Sequence, residues 1–135
     1  MTPDRAAPVE LIVCETCGSA ERETHGSTRG ERFLALLREH AASTPAVSVS
    51  STRCLWSCSR SCAVHMRGEG RVSYVLASFE PDADAALALL EYATLYAASS
   101  DGAVPFRQWP QGVRGHFVCR LPVLADAGDD ALEPV

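Results

Sequence analysis

The sequence predicts an α/β fold, one small mixed β-sheet flanked by helices, with its elements in the order β-α-β-β-β-α. Three observations predict it. Short apolar or alternating runs read as strands, and two longer stretches repeat apolar residues at helical spacing. A Gly68-Glu69-Gly70 turn joins two of the runs into a hairpin, one residue of it at positive φ. Five of the six cysteines fall into two tight groups, each following a strand-like run, so the chain reads as a scaffold holding thiols at strand ends.

After the flexible stretch 1–8, Val9-Glu10-Leu11-Ile12-Val13 is apolar enough for a buried strand and delivers Cys14 at its end. Residues 18–27 are polar and read as a loop. Thr28-Arg29-Gly30-Glu31 fits a capping box, the threonine hydroxyl accepting from the Glu31 amide while the Glu31 carboxylate reaches back. Phe33, Leu36, Leu37 and Ala41 then form one stripe, which predicts an amphipathic helix over Arg29–Ala42. Thr44-Pro45 ends it. Val47-Ser48-Val49-Ser50 alternates as a half-buried strand does and leads through Arg53 into the second cysteine group.

Residues 62–67 and 71–76 are the two hairpin strands. Pro81, with Glu80, Asp82 and Asp84 around it, marks a helix start, since proline suits a first turn and acids suit its dipole. That helix should run to about Ser99, before Asp101-Gly102. Its stripe of Ala86, Leu89, Leu90, Ala93 and Ala97 is widened by Leu87, Tyr92, Leu95 and Tyr96, so it is either buried on two sides or meets a partner. Residues 104–110 form a rigid, aromatic-bearing segment, and 115–121 a last extended piece. This succession is the thioredoxin-like arrangement, spanning one domain over 9–122 before an acidic, disordered tail at 123–135.

Composition excludes several functions. With 47% hydrophobic and 21% charged residues, the 135-residue chain is an ordinary globular domain. Its net charge of −5 rests on Asp126, Asp129, Asp130 and Glu133, and the rest of the chain is nearly neutral. No basic stripe offers itself to nucleic acid. No stretch approaches the roughly 20 apolar residues of a membrane helix, and the start lacks the apolar core of a leader. The expectation is a cytoplasmic protein, where clustered thiols serve as ligands or redox groups rather than as disulfides.

Thiolates are soft ligands, suited to zinc, copper(I) or iron–sulfur clusters. Cys14 and Cys17 are three apart, and Cys54, Cys58 and Cys62 follow at intervals of four. One group alone cannot surround a metal, but two can close a site. The second group lacks the C-x-x-C knuckle of zinc ribbons and the tighter spacing of bacterial cubane ferredoxins. Residue chemistry leaves iron–sulfur, zinc and dithiol chemistry at Cys14 and Cys17 all open. The predicted helix begins about a dozen residues after Cys14, too far for its dipole to activate either thiol of a redox pair.

The pattern resembles the thioredoxin-like [2Fe-2S] ferredoxins and, more closely, a family of short bacterial proteins of unknown function described as predicted metal-binding. Carrying the resemblance are the strand into Cys14-Glu15-Thr16-Cys17, the run from Cys54 to Val64, Ser73-Tyr74-Val75, and the segment from Leu95 through Asp101-Gly102 to Arg107, within residues 9–122. It implies Cys14, Cys17, Cys54 and Cys58 as ligands of a cluster, an electron carrier rather than a catalyst, a redox partner protein or reductase, and a homodimer. It also implies a link to cobalt or cobalamin metabolism. The chain departs from those ferredoxins in the close spacing of Cys14 and Cys17 and in having Cys62, which joins the candidate metal ligands.

Other residues weigh less. Trp56 shields a centre, marks a docking surface or simply packs; Arg53 and Arg60 offset thiolate charge or are solvated loop residues. His25 is the one histidine considered as a ligand. His40, His65 and His116 read as surface or satisfied residues, and Cys119 as a buried small hydrophobe. Asp82, Asp84 and Glu91 read as capping and solvated acids.

Overall fold

Val9, Leu11 and Val13 are fully buried while Glu10 and Ile12 between them are not, so the first strand, β1 (Val9–Cys14), turns one face to the core. In the computed structural model, which describes residues 9–15, 26–53 and 62–123, this strand is central in a five-stranded mixed sheet. With β2 (Val47–Thr52), β3 (Val64–Gly68), β4 (Ser73–Leu76) and β5 (Phe117–Leu121), the spatial order is β2-β1-β3-β4-β5. β1 and β2 run parallel, from Val9 beside Val47 to Cys14 beside Thr52. The remaining neighbours are antiparallel. The start through residue 8 and the tail from residue 124 lie outside the described residues.

Two helices, α1 (Arg29–Ala41) and α2 (Ala83–Ala98), pack on each other and on the same core as Val9, Leu11, Val13, Val64 and Met66. Phe33 and Leu37 are the buried anchors of α1. The capping box forms as expected: Thr28 Oγ1 accepts from the Glu31 amide at 2.9 Å, and the Thr28 amide donates to Glu31 Oε1 at 2.9 Å. The second helix starts two residues beyond Pro81, because the Asp82 carboxylate accepts from the Ala85 amide at 2.8 Å and so becomes the cap. Proline's fit to a first turn gave way to aspartate's stronger capping bond.

The apolar girth of α2 is explained by burial on two sides. One flank faces α1 and the sheet; along the other runs a short 3₁₀ turn, Gln111–Val113. There Gly112 lies so close to Ala88 that an added Cβ would come within 2.5 Å of the alanine methyl. Tyr92, fully buried, meets Tyr74, Trp109 and Phe117 edge-on at 5.3–6.4 Å, which ties the 104–110 segment and β5 to the helix. The hairpin turn has Gly70 at φ +75°, with the Arg71 amide bonded to the Gly68 carbonyl at 3.1 Å. Among the described residues no helix is long and apolar enough to cross a membrane.

The other face of the sheet carries polar pairs. Ser50 Oγ donates to Glu10 at 2.8 Å and Arg67 Nε at 2.9 Å. The serine bond and the arginine together hold the Glu10 carboxyl below its ordinary value, against a smaller opposing effect of burial. A depressed carboxyl contributes stability that is present above the unfolded value near 4.5 and is lost as pH falls through the folded one. Glu10→Gln should therefore flatten the acid limb of stability below about pH 4.5 and leave pH 7 stability within about 1 kcal/mol, as suits a partly solvated pair. Urea midpoints from pH 3 to 7 check it.

Candidate metal centre

The thiol-bearing segments all leave or enter the sheet at one end. β1 ends at Cys14; its parallel neighbour β2 ends at Thr52, two residues before Cys54; β3, antiparallel to β1, begins just after Cys62. Backbone bonds lock these ends together. The Cys14 amide donates to the Ala63 carbonyl at 3.0 Å and the Glu15 amide to Thr52 at 2.9 Å. The Cys62 amide donates to Phe79 at 3.1 Å, which adds the segment leading to α2.

Cys14 is fully buried in a small cluster with Ala63 and Ala77, and its Sγ lies 3.8 Å from the carbonyl oxygen of Arg53, the residue bonded to Cys54. Cys62 is also fully buried. Burial pushes its thiol up to about 11; Arg29 and Arg32 pull the other way, while Glu80 and Cys14 add to the rise. Cys14 and Cys62 lie at the same end of the sheet, since the Cys14 amide bonds the carbonyl of Ala63, the residue after Cys62.

The N-terminal end of α1 abuts this end of the sheet. Thr28, buried, donates from Oγ1 to the Glu15 carbonyl at 2.5 Å. Gly30 sits against the Cys14 peptide: a Cβ there would fall well inside contact with the Cys14 carbonyl oxygen and 3.1 Å from its carbonyl carbon. Arg29 pairs with Glu80 at 3.1 Å, and Arg32 Nη1 donates to the Ser27 carbonyl at 3.2 Å. The sequence reading missed Gly30. The available signal was a glycine in the first turn of an otherwise well-formed helix, where it costs about 1 kcal/mol against alanine without a compensating contact.

Cys17, Cys54 and Cys58 lie outside the described residues, as do His25, Trp56 and Arg60. Among the described residues, no three His, Cys, Asp or Glu side chains are grouped to hold a metal. Cys14 and Cys62 are the candidates that the described residues bring together.

Cys119 corrects an expectation. It is exposed on the outer strand β5, opposite Val75, since alternation in sequence could not reveal that β5 is an edge. Three strand spacings, about 14 Å, separate β5 from β1 and keep Cys119 away from Cys14. His116 is satisfied, its Nδ1 2.8 Å from the Ala77 carbonyl and its ring stacked on Phe79 at 4.4 Å. His65 departs from the expectation: its Nε2 is buried without a hydrogen-bond partner among the described residues, and burial lowers its affinity for a proton.

In comparison with known proteins, residues 11–123 match the model of a family described as "Protein of unknown function (DUF1636)". No curated protein and no solved structure gives a match.

Proposed function

Because this chain belongs to that family, whose description states no activity, we propose its function from its own residues: a thiolate metal centre, an iron–sulfur cluster of the [2Fe-2S] type, serving one-electron transfer. The observation that carries the reading is the meeting of the β1 exit, the β2 exit and the β3 entry at one sheet end, with all five clustered cysteines on those segments. Cys14, Cys17, Cys54 and Cys58 are the ligands proposed, with Cys62 beside them. The strand order β2-β1-β3-β4, with only β1 and β2 parallel, supports a thioredoxin-like arrangement to which β5 is added.

The donors fit such a group. Cys14 is buried next to two alanines, and Arg29 and Arg32 favour the anionic form of Cys62, which suits a soft, net-anionic thiolate centre. When bound, the cluster would accept and release one electron. The chain's part is to hold Cys14 rigidly through the β1 ladder and to exclude water from Cys14 and Cys62, while Arg29 and Arg32 favour the anionic form of Cys62. In a thiol–disulfide exchange at Cys14 and Cys17, the fully buried Cys14 would serve as the resolving thiol and not as the attacking one.

The test is anaerobic purification without added metal, followed by a visible spectrum and iron, acid-labile sulfide and zinc assays. About two irons and two sulfides per chain are expected. Cys14→Ser should bring metal to background, while Cys119→Ser should keep the full content. A colourless protein with one zinc would replace the cluster with a zinc-stabilised binding module. Metal retained in full by Cys17→Ser and lost in Cys62→Ser would move Cys62 into the ligand set.

A further inference from the structure

We propose that Phe106, Trp109 and Arg114, flanked by Arg107, form a docking face for an acidic segment of a partner protein, one that sets a carboxylate beside an aromatic or apolar side chain. The face stands whether or not the thiols bind a metal. From Gly102 to Val123 the chain carries three of its 12 basic residues, Arg107, Arg114 and Arg120, and none of its 17 acidic ones. Among the described residues none of these three arginines pairs with a carboxylate, whereas Arg29 and Arg67 both do.

Arg114 is the anchor. Its guanidinium carbon stands 4.6 Å from the centre of the Phe106 ring, its Nη2 reaches the Phe106 carbonyl only at 3.5 Å, and its Nε is buried with no hydrogen-bond partner among the described residues. A guanidinium held this way has lost water without gaining an anion, and the Nη1–Nη2 end of its fork is the part a carboxylate can meet. Phe106 beneath it is 59% exposed, the most exposed large hydrophobic side chain of the described residues. Trp109, 4.8 Å from Phe106, holds the face in place: its indole meets Tyr92 of α2 and Phe117 of β5, and its Nε1 donates to the Val104 carbonyl at 2.9 Å. Two aromatic rings and an arginine on so anchored a segment have the composition of a binding hot spot and need little ordering when a partner arrives. The charge balance favours a protein over nucleic acid. A chain of net charge −5 repels an extended polyanion, while a few guanidiniums suit a short run of carboxylates.

The probe is a fluorescein-labelled peptide of four Glu-Glu-Phe repeats, followed by anisotropy at low salt beside a Lys-Lys-Phe peptide and an oligothymidylate of equal length. Saturable binding of the acidic peptide alone is expected. Arg114→Gln should weaken it about tenfold, Phe106→Ala about fivefold and Arg107→Gln, on the exposed flank, about threefold. Arg114→Lys should recover little, since an ammonium neither lies flat on the ring nor offers a fork. Arg38→Gln, which removes the same charge from the last turn of α1, should change binding less than about twofold, and urea midpoints confirm that each variant folds. Absence of binding by wild type, or a loss in Arg38→Gln equal to that in Arg114→Gln, overturns the proposal. Tighter binding of the oligothymidylate overturns it too and makes the face one for nucleic acid. Binding that appears only in a chain carrying Asp126→Asn, Asp129→Asn, Asp130→Asn and Glu133→Gln also overturns it, and gives the face to the chain's own acidic residues.

Discussion

Gly30→Ala should destabilise the protein by about 3 kcal/mol or more, and should lower its metal content in parallel. The intrinsic preference points the other way, because alanine in a helix gains about 1 kcal/mol over glycine. Position decides the sign. The new methyl would overlap the Cys14 carbonyl oxygen and stand 3.1–3.2 Å from two backbone carbons, and none of these atoms can rotate away as a side chain would. Nor can the two elements part easily. The end of β1 is tied to Ala63 and Thr52, and the start of α1 is tied to Glu15 through the Thr28 hydroxyl. Relief must come from moving α1 off the sheet, which loosens the packing over Cys14, or from bending β1 at Cys14, which shifts a proposed ligand. Urea unfolding of wild type and variant measures the first effect, and iron or cobalt(II) stoichiometry the second. A variant as stable as wild type would mean that the helix and the cysteine strand are not in this contact.

The elements were legible because each carries a local signal. The alternation in β1, the Thr28–Glu31 box and the glycines of the hairpin turn each state their structure within a few residues. What the chain could not state locally were relations across it. Whether Cys119 is inside depends on which strand ends the sheet, and Asp82 outranks Pro81 through one bond to Ala85. The two-sided burial of α2 was present in sequence as an excess of apolar residues, but its second partner, the 3₁₀ turn at Gln111–Val113, has no periodicity to announce it. At the candidate site, spacing singled out the thiols, yet the charges around Cys62 come from residues 18 to 33 positions away in sequence. Arg29, Arg32 and Glu80 look like ordinary surface charges until the fold brings them to the same end of the sheet as Cys14 and Cys62.

Arg71→Met should cost about 3 kcal/mol, for a reason of the same non-local kind. Although the Ser99 amide donates to the Tyr96 carbonyl at 3.1 Å, helix α2 has no basic residue in its last turn, so the negative end of its dipole has no local cation. Arg71 supplies one from the hairpin. Its Nε donates to Ser99 at 2.9 Å and Tyr96 at 3.3 Å, Nη2 to Ala97 at 2.8 Å, and Nη1 back to Glu69 at 3.1 Å. One planar cation therefore bonds three carbonyls at the helix end and one in its own turn, and joins the β3–β4 hairpin to a helix some 25 residues away in sequence. Bonds from a charged donor contribute about 1.5–3 kcal/mol where the acceptors are partly buried, and those of one side chain do not add fully. Methionine keeps most of the apolar stem, so the loss isolates the guanidinium. Arg71→Lys should recover less than half, because an ammonium cannot span carbonyls spread along a turn of helix as a planar fork does. Urea midpoints give the magnitude, and hydrogen exchange locates it: faster exchange should centre on the last turn of α2 and the Val72 amide, which is bonded to the Asp101 carbonyl at 3.0 Å just beyond that helix. A loss under 1 kcal/mol, or exchange that quickens equally in β1 and β2, would remove Arg71 from this role and leave the Tyr96 hydroxyl bond to the Val72 carbonyl as the main tie between hairpin and helix.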